Sequence, residues 1–289
     1  MADYVIFTDS ACDINKETLT LWGVKSVPLT YRFLKEEKTY FDECTDTKSF
    51  YSKMRDGLIA KTAAVNPDEF KNAFEKELID KKDVLYVGFS SGLSTTYNSA
   101  RIAKDILLEK YPERRIITVD SLCASAGLGL LLYLAAEMAK GGSPFDEVAK
   151  FVENNRLNIC HWFTVEDLVY LKRGGRISTT KAFVGNMLGI KPILHVDGKG
   201  YLINVTKARG RRAAISKLAE NYVKYRKNNT FLDTVFISHA DCAADAELLS
   251  NMIKEQTGCN VSVVTSVGAV IGAHSGPGTL ALFFVGEER

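Results

Sequence analysis

Short apolar runs alternate along this chain with stretches whose apolar residues recur every three or four positions, a pattern that predicts strands separated by helices. Residues 4–8 read as a strand ending at Asp9-Ser10, and Asn15 caps a short helix before a second apolar run over 24–33. The polar turn over 34–38 makes that run one arm of a hairpin. Asn66-Pro67-Asp68-Glu69 combines an N-cap, a first-turn proline and a reciprocal glutamate, and so predicts a helix start. Apolar runs over 84–89 and 115–119 flank a helical pattern from about Ser94 to Leu108. Strand, helix and strand at this spacing imply a parallel sheet with right-handed crossovers. The segment 122–140 is apolar nearly all round, which predicts a helix buried on several sides or lining a cavity.

Ser143-Pro144 opens a further helix, and 154–158 offers a boundary, so the expected organisation is two domains, 1–156 and 157–289. Beyond it the pattern changes. Strands over 192–196 and 201–206 flank the hairpin turn Asp197-Gly198-Lys199-Gly200, with further β segments over 259–265 and 279–285. Helices over 211–226 and 243–256 separate them. The predicted class is α/β: an N-terminal α/β/α domain with a mainly parallel sheet, followed by an α+β domain with a mixed sheet.

Composition sharpens this picture in two places. With 289 residues, 46% hydrophobic and 25% charged, the chain has ample material for a buried core. Its longest apolar run, 122–136, is too short and too interrupted to span a bilayer, and no secretory leader pattern opens the sequence. Six cysteines without a C-x-x-C pair suit reduced thiols, and a cytoplasmic location is expected. The net charge of +2 hides a segment, 172–212, with ten Lys or Arg residues and the single acid Asp197. That segment reads as a solvated face or as a docking surface for an acidic or phosphorylated partner, in preference to a nucleic-acid site.

Candidate chemistry centres on Ser90-Ser91-Gly92-Leu93-Ser94-Thr95-Thr96-Tyr97, between a strand and a helix. Hydroxyls and backbone N–H groups at a helix N-terminus suit an anionic head group. Gly88-Phe89-Ser90-Ser91-Gly92 also fits G-x-S-x-G, the nucleophile elbow of α/β-hydrolases, and Ser90, Asp120 and His239 or His274 follow that class's Ser–Asp–His order. The alternative function is therefore a serine hydrolase using Ser90. Against it, nothing upstream resembles an HGGG-type oxyanion loop. No G-x-x-x-x-G-K-[ST] or protein-kinase signature occurs, and His161, His195 and His239 lack metal-ligand spacing, so no metal or cofactor is expected.

Several separate stretches carry a family resemblance. Phe7-Thr8-Asp9-Ser10, Ser90 to Tyr97, Val119-Asp120-Ser121, the run Asp167 to Ser178 with Arg173-Gly174-Gly175-Arg176, Lys191-Pro192-Ile193-Leu194, Lys207-Ala208-Arg209-Gly210 and Gly272-Ala273-His274-Ser275-Gly276-Pro277-Gly278 resemble the DegV family of fatty-acid-binding proteins. They stand in the family's order over nearly the full length. The resemblance implies two α/β domains with one fatty acid between them and, in members acting in lipid activation, presentation of that acid to a separate fatty acid kinase. It places the carboxylate-binding hydroxyls on Thr62 and Ser94. The family usually has Ser where this chain has Ala63, and Gly where it has Thr95.

The residues' own chemistry leaves alternatives open. Thr62, near one helix start, and Ser94, at another, can donate to a buried carboxylate that otherwise lacks solvation, or serve as a surface hydroxyl and an N-cap. The resemblance places His274 near the head group, and it otherwise reads as a residue of a flexible Gly-Pro loop. Arg176 follows Gly174-Gly175 and either caps a helix end or faces the ligand mouth. Lys207 and Arg209 fit a partner-docking surface better than direct contact with ligand.

Overall fold

The computed structural model describes residues 3–177, 189–227, 233–287 and 289. Through the first half the order is β1 (Tyr4–Asp9), α1 (Lys16–Trp22), β2 (Val24–Val27), β3 (Thr30–Phe33), β4 (Tyr40–Phe41), α2 (Thr47–Arg55), β5 (Ala60–Ala63), α3 (Pro67–Ile79), β6 (Asp83–Gly88), α4 (Thr96–Lys110), β7 (Ile116–Asp120), α5 (Ala126–Lys140) and α6 (Phe145–Asn155). A 3-10 turn over Arg156–Asn158 then leads to β8 (Ile159–Thr164), α7 (Val169–Arg173), β9 (Ile190–Val196), β10 (Leu202–Arg209), α8 (Arg211–Tyr225), β11 (Val235–His239), α9 (Ala243–Thr257), β12 (Val263–Ser266), α10 (Ala269–Ser275) and β13 (Leu280–Val285).

Among the described residues the strands form three sheets. The order β2-β1-β6-β7 is wholly parallel, as the strand–helix–strand pattern predicts. The larger sheet, β10-β9-β8-β13-β11-β12, is mixed, with β11 and β12 parallel and the other pairs antiparallel. In a small antiparallel sheet, β4-β3-β5, the β3–β4 hairpin follows the predicted turn over 34–38, and the third strand, β5, is the one that sequence reasoning missed. That strand, Ala-Lys-Thr-Ala, has no apolar alternation to mark it. The run 24–33 is divided between two sheets: Pro28, which has no N–H for a ladder, separates β2 from β3. The last predicted β segment but one also shifts, from 259–265 to Val263–Ser266.

Helix α5 explains its all-round apolarity by its position. It packs against α6 on one side and against β8, β11 and β13 on the other, with ten of its residues buried. Residues on one face of the mixed sheet, among them Phe163, Phe236, Ala281 and Phe283, join the core of the parallel-sheet half, while α8 and α9 cover the opposite face. At Asn66 the expected capping box is complete: Oδ1 accepts from Glu69 N at 3.0 Å, and Glu69 Oε2 accepts from Asn66 N at 2.8 Å. Among the described residues no helix is long and apolar enough to cross a membrane.

Candidate functional site

A cavity of about 520 Å³ opens where the mixed sheet meets the parallel-sheet half, within the size range of small-molecule pockets. Its body is apolar: Leu29, Phe89, Phe163, Val196, Val270 and Phe283 are among the residues that line it. Thr62, Ser94, Arg176 and His274 all line it as well. The structure thus brings together four residues separated by up to 212 positions in sequence.

Each polar residue is held by local geometry. Thr62 sits on β5, opposite Tyr31 in register, shortly before the start of α3. Its Oγ1 lies 2.9 Å from His274 Nε2. His274 occupies the last turn of α10 instead of a free Gly-Pro loop. Its other ring nitrogen, Nδ1, is buried without a hydrogen-bond partner among the described residues. A methyl group added at Gly174 would stand 2.1 Å from that nitrogen, so the ring is clamped and only glycine fits there. A buried lone pair is tolerated better than an orphaned N–H, and this places the ring proton on Nε2, donating to Thr62 Oγ1. The Thr62 hydroxyl proton is then free for the cavity. Burial, with the Arg176 charge adding to it, lowers the His274 pKa to about 4, so the ring is neutral near pH 7.

Ser94 precedes α4, whose N-cap residue Thr95 makes no side-chain capping bond. Ser94 caps the helix instead. Its Oγ accepts from Thr96 N at 3.2 Å and lies 2.9 Å from the Thr96 hydroxyl. When Thr96 donates across the second contact, the Ser94 proton is also left for the cavity. Arg176 caps the helix end and also lines the cavity. Its guanidinium donates to Gly174 O at the end of α7 and, through Nε, to Leu93 O at 3.1 Å, while lining the cavity. Burial lowers its pKa, and it has no carboxylate partner among the described residues. This end of the cavity offers two hydroxyl donors and one cation, with no acid lining it among the described residues.

Ser90 has a different environment. It is fully buried, donates to Gly200 O at 2.9 Å and accepts from Gly92 N at 3.2 Å. Gly200 has φ +80°, and a Cβ there would stand 2.1 Å from Ser90 Oγ, so the hairpin turn of the mixed sheet closes directly over this serine. The partners a hydrolase would need are occupied elsewhere. Asp120 Oδ1 accepts from Ser91 N and Leu122 N, His239 Nδ1 accepts from Cys242 N, and His274 pairs with Thr62. The hydrolase alternative fails on this geometry, because Ser90 spends its proton on a backbone carbonyl, not on an imidazole, and its hydroxyl is buried beneath a turn.

Lys207 and Arg209 are on β10, an edge strand, and do not line the cavity. Part of the basic segment, 178–188, lies outside the described residues. Lys191 within it pairs with Glu166. Among the described residues no group of three His, Cys, Asp or Glu side chains could hold a metal ion.

Sequence reasoning also missed polar residues in the cavity wall: Ser125, His161, Ser238 and Ser275. His161 is structural. Its Nε2 accepts from Ala124 N at 3.2 Å and its Nδ1 meets Ile159 O at 2.8 Å, which fixes it as a neutral ring with the proton on Nδ1. Burial pushes its pKa well below the usual histidine range, in agreement. Ser275 Oγ is buried with no partner among the described residues.

Comparison with known proteins gives a consistent result. A family model described as an uncharacterised protein of the DegV family matches residues 3–287. A DegV domain-containing protein of Clostridium perfringens is 43% identical, with 100% of this chain and 99% of that protein covered. A DegV lipid-binding protein from Thermotoga maritima superposes with a TM-score of 0.85 at 30% identity, covering 100% of both chains. DegV from Bacillus subtilis, a fatty-acid-binding protein, superposes with a TM-score of 0.81 at 29% identity, covering 99% of this chain and 100% of that one.

Proposed function

This chain belongs to the DegV family, and on that premise we propose that it binds one long-chain fatty acid as the free acid, with its carboxylate at Thr62, Ser94, Arg176 and His274. One observation carries the reading: a largely apolar cavity has two hydroxyls in its wall beside a cation without a carboxylate partner among the described residues. An ionised carboxylate accepts only, so it needs such donors to leave water. The solved relatives whose descriptions name lipid or fatty-acid binding support the ligand class.

Magnitudes separate the roles of the two ends of this ligand. About fifteen methylenes buried at ~0.8 kcal/mol each contribute on the order of 12 kcal/mol before association costs. Charge-assisted hydrogen bonds contribute about 1.5–3 kcal/mol each. The tail therefore supplies affinity and the donors supply orientation.

The finer half of the proposal is presentation. The chain lacks a nucleotide-binding signature, so any phosphate donor sits on another protein. We assign that role to a separate fatty acid kinase, which forms the acyl phosphate from the bound acid and ATP. Lys207 and Arg209, outside the cavity, are its proposed docking residues. Lipid extraction and mass spectrometry of natively purified protein test the ligand: one free long-chain fatty acid per chain is expected. A different lipid class at that stoichiometry would contradict it.

A further inference from the structure

The cavity has a second polar group in its wall. Ser125, at the start of α5, and Ser238, on β11, place their hydroxyls 3.0 Å apart, and both residues line the cavity. Ser125 Oγ also bonds Asp13 Oδ2, and Asp13 Oδ1 accepts from Gly268 N at 2.9 Å at the start of α10. Asp13, Ser125 and Ser238 thus form a chain of three groups. Ser238 is its terminus: it is fully buried, and the bond to Ser125 is its one side-chain hydrogen bond among the described residues.

The state of Asp13 sets the direction of this chain and leaves its end open either way. Burial pushes its carboxyl well above the usual range, the nearby Asp42 raises it further, and the bonds from Ser125 and Gly268 only partly oppose this. A protonated Asp13 donates to Ser125, which donates to Ser238, whose own proton is then unspent. An ionised Asp13 draws both donors toward itself and leaves the lone pairs of Ser238 unspent. In both states a buried hydroxyl in the cavity wall keeps unmet hydrogen-bonding capacity, and that is costly against plain methylenes.

The position of this group is measured by α10. Gly268, bonded to Asp13, precedes the helix, and His274, bonded to Thr62, lies in its last turn. Six residues at about 1.5 Å each put Gly268 and His274 roughly 9 Å apart along the axis. The Asp13–Ser125–Ser238 chain, joined to α10 through Gly268, therefore sits toward the opposite end of this helix from the Thr62–His274 pair.

Resting on the fatty-acid reading above, we propose that Ser125 and Ser238 form a second polar subsite that favours acyl chains carrying a hydroxyl group away from the carboxyl. The hydroxyl of such a chain both donates and accepts, so it satisfies Ser238 in either protonation state of the chain behind it. A saturated tail leaves the remaining capacity of Ser238 unmet.

The experiment compares delipidated protein titrated with stearate and with hydroxystearate isomers whose hydroxyl lies either beside the carboxyl or near mid-chain. The mid-chain isomer is expected to bind on the order of tenfold more tightly than stearate, and the isomer substituted beside the carboxyl is expected to show no such gain. In Ser238→Ala the wall becomes apolar there, so stearate should tighten, the mid-chain isomer should weaken, and their ratio should fall to about one. Ser238→Thr, which keeps the hydroxyl at a strand position, should retain the preference and checks that it does not depend on one variant's folding. Equal binding of stearate and the mid-chain isomer by the wild-type protein overturns the subsite while leaving the fatty-acid reading intact. Binding of neither overturns both.

Discussion

The two ends of helix α10 meet opposite electrostatic surroundings. At its C-terminal end, His274 and Thr62 share the cavity wall with Ser94 and with Arg176, a cation that has no carboxylate partner among the described residues. At its N-terminal end, Gly268 and Val270 donate to Asp13 and Asp42, two buried acids. Burial raises Asp42 to about 6 and pushes Asp13 well above the usual carboxylate range. An anion is therefore favoured at one end and opposed at the other. On the proposed reading this difference makes the cavity directional for an amphipathic acid, with the anionic head toward the Arg176 end.

The largest effect is expected from removing the donors at the cationic end. Replacing Thr62 and Ser94 together with Ala should weaken fatty-acid binding by on the order of 2–5 kcal/mol, through lost hydrogen bonds and an under-solvated charge. Calorimetric titration checks this, and an unchanged dissociation constant would mean that the carboxylate lies elsewhere.

A smaller and more local effect concerns His274. Its folded pKa of about 4 lies below the ordinary value of 6.5. A depressed pKa means that the folded state resists protonation, so the stability associated with the neutral ring is present above about pH 6.5 and is lost as pH falls through 4. An NMR titration of the ring should find its midpoint near 4, and His274→Asn should lose less stability than the wild type over that interval. A midpoint at 6.5 would show a solvated ring and remove it from the head-group end.

The smallest effect on lipid affinity is expected outside the cavity. Charge reversal at Lys207 and Arg209 should leave fatty-acid binding nearly intact while slowing acyl-phosphate formation with added kinase and ATP, in a salt-dependent way. Joint loss of both activities would place these residues in the pocket or the fold.

How much of this is legible in the sequence differs between the two ends. The parallel sheet, the capping box at Asn66 and the burial of α5 follow from periodicity and cap chemistry, which are local. Thr62, Ser94, Arg176 and His274 are reachable through motif resemblance, yet the contact that joins Thr62 to His274 spans 212 positions and rests on a strand without an apolar pattern. Ser125 and Ser238 have no such marker. Ser125 sits inside an apolar run and Ser238 inside a strand, and their pairing across 113 positions is a product of the packing of α5 on the mixed sheet. Local rules give elements, and the meeting of distant hydroxyls is decided by the core between them.

The central claim is that this cavity recognises a carboxylate at its Arg176 end. Its most direct test is parallel titration of delipidated protein with stearic acid and with the matched alcohol, which has the same tail and no charge. The account predicts saturable one-to-one binding of the acid and about tenfold or greater weakening for the alcohol, the loss of roughly one charge-assisted hydrogen bond. Equal affinity for the two would contradict it.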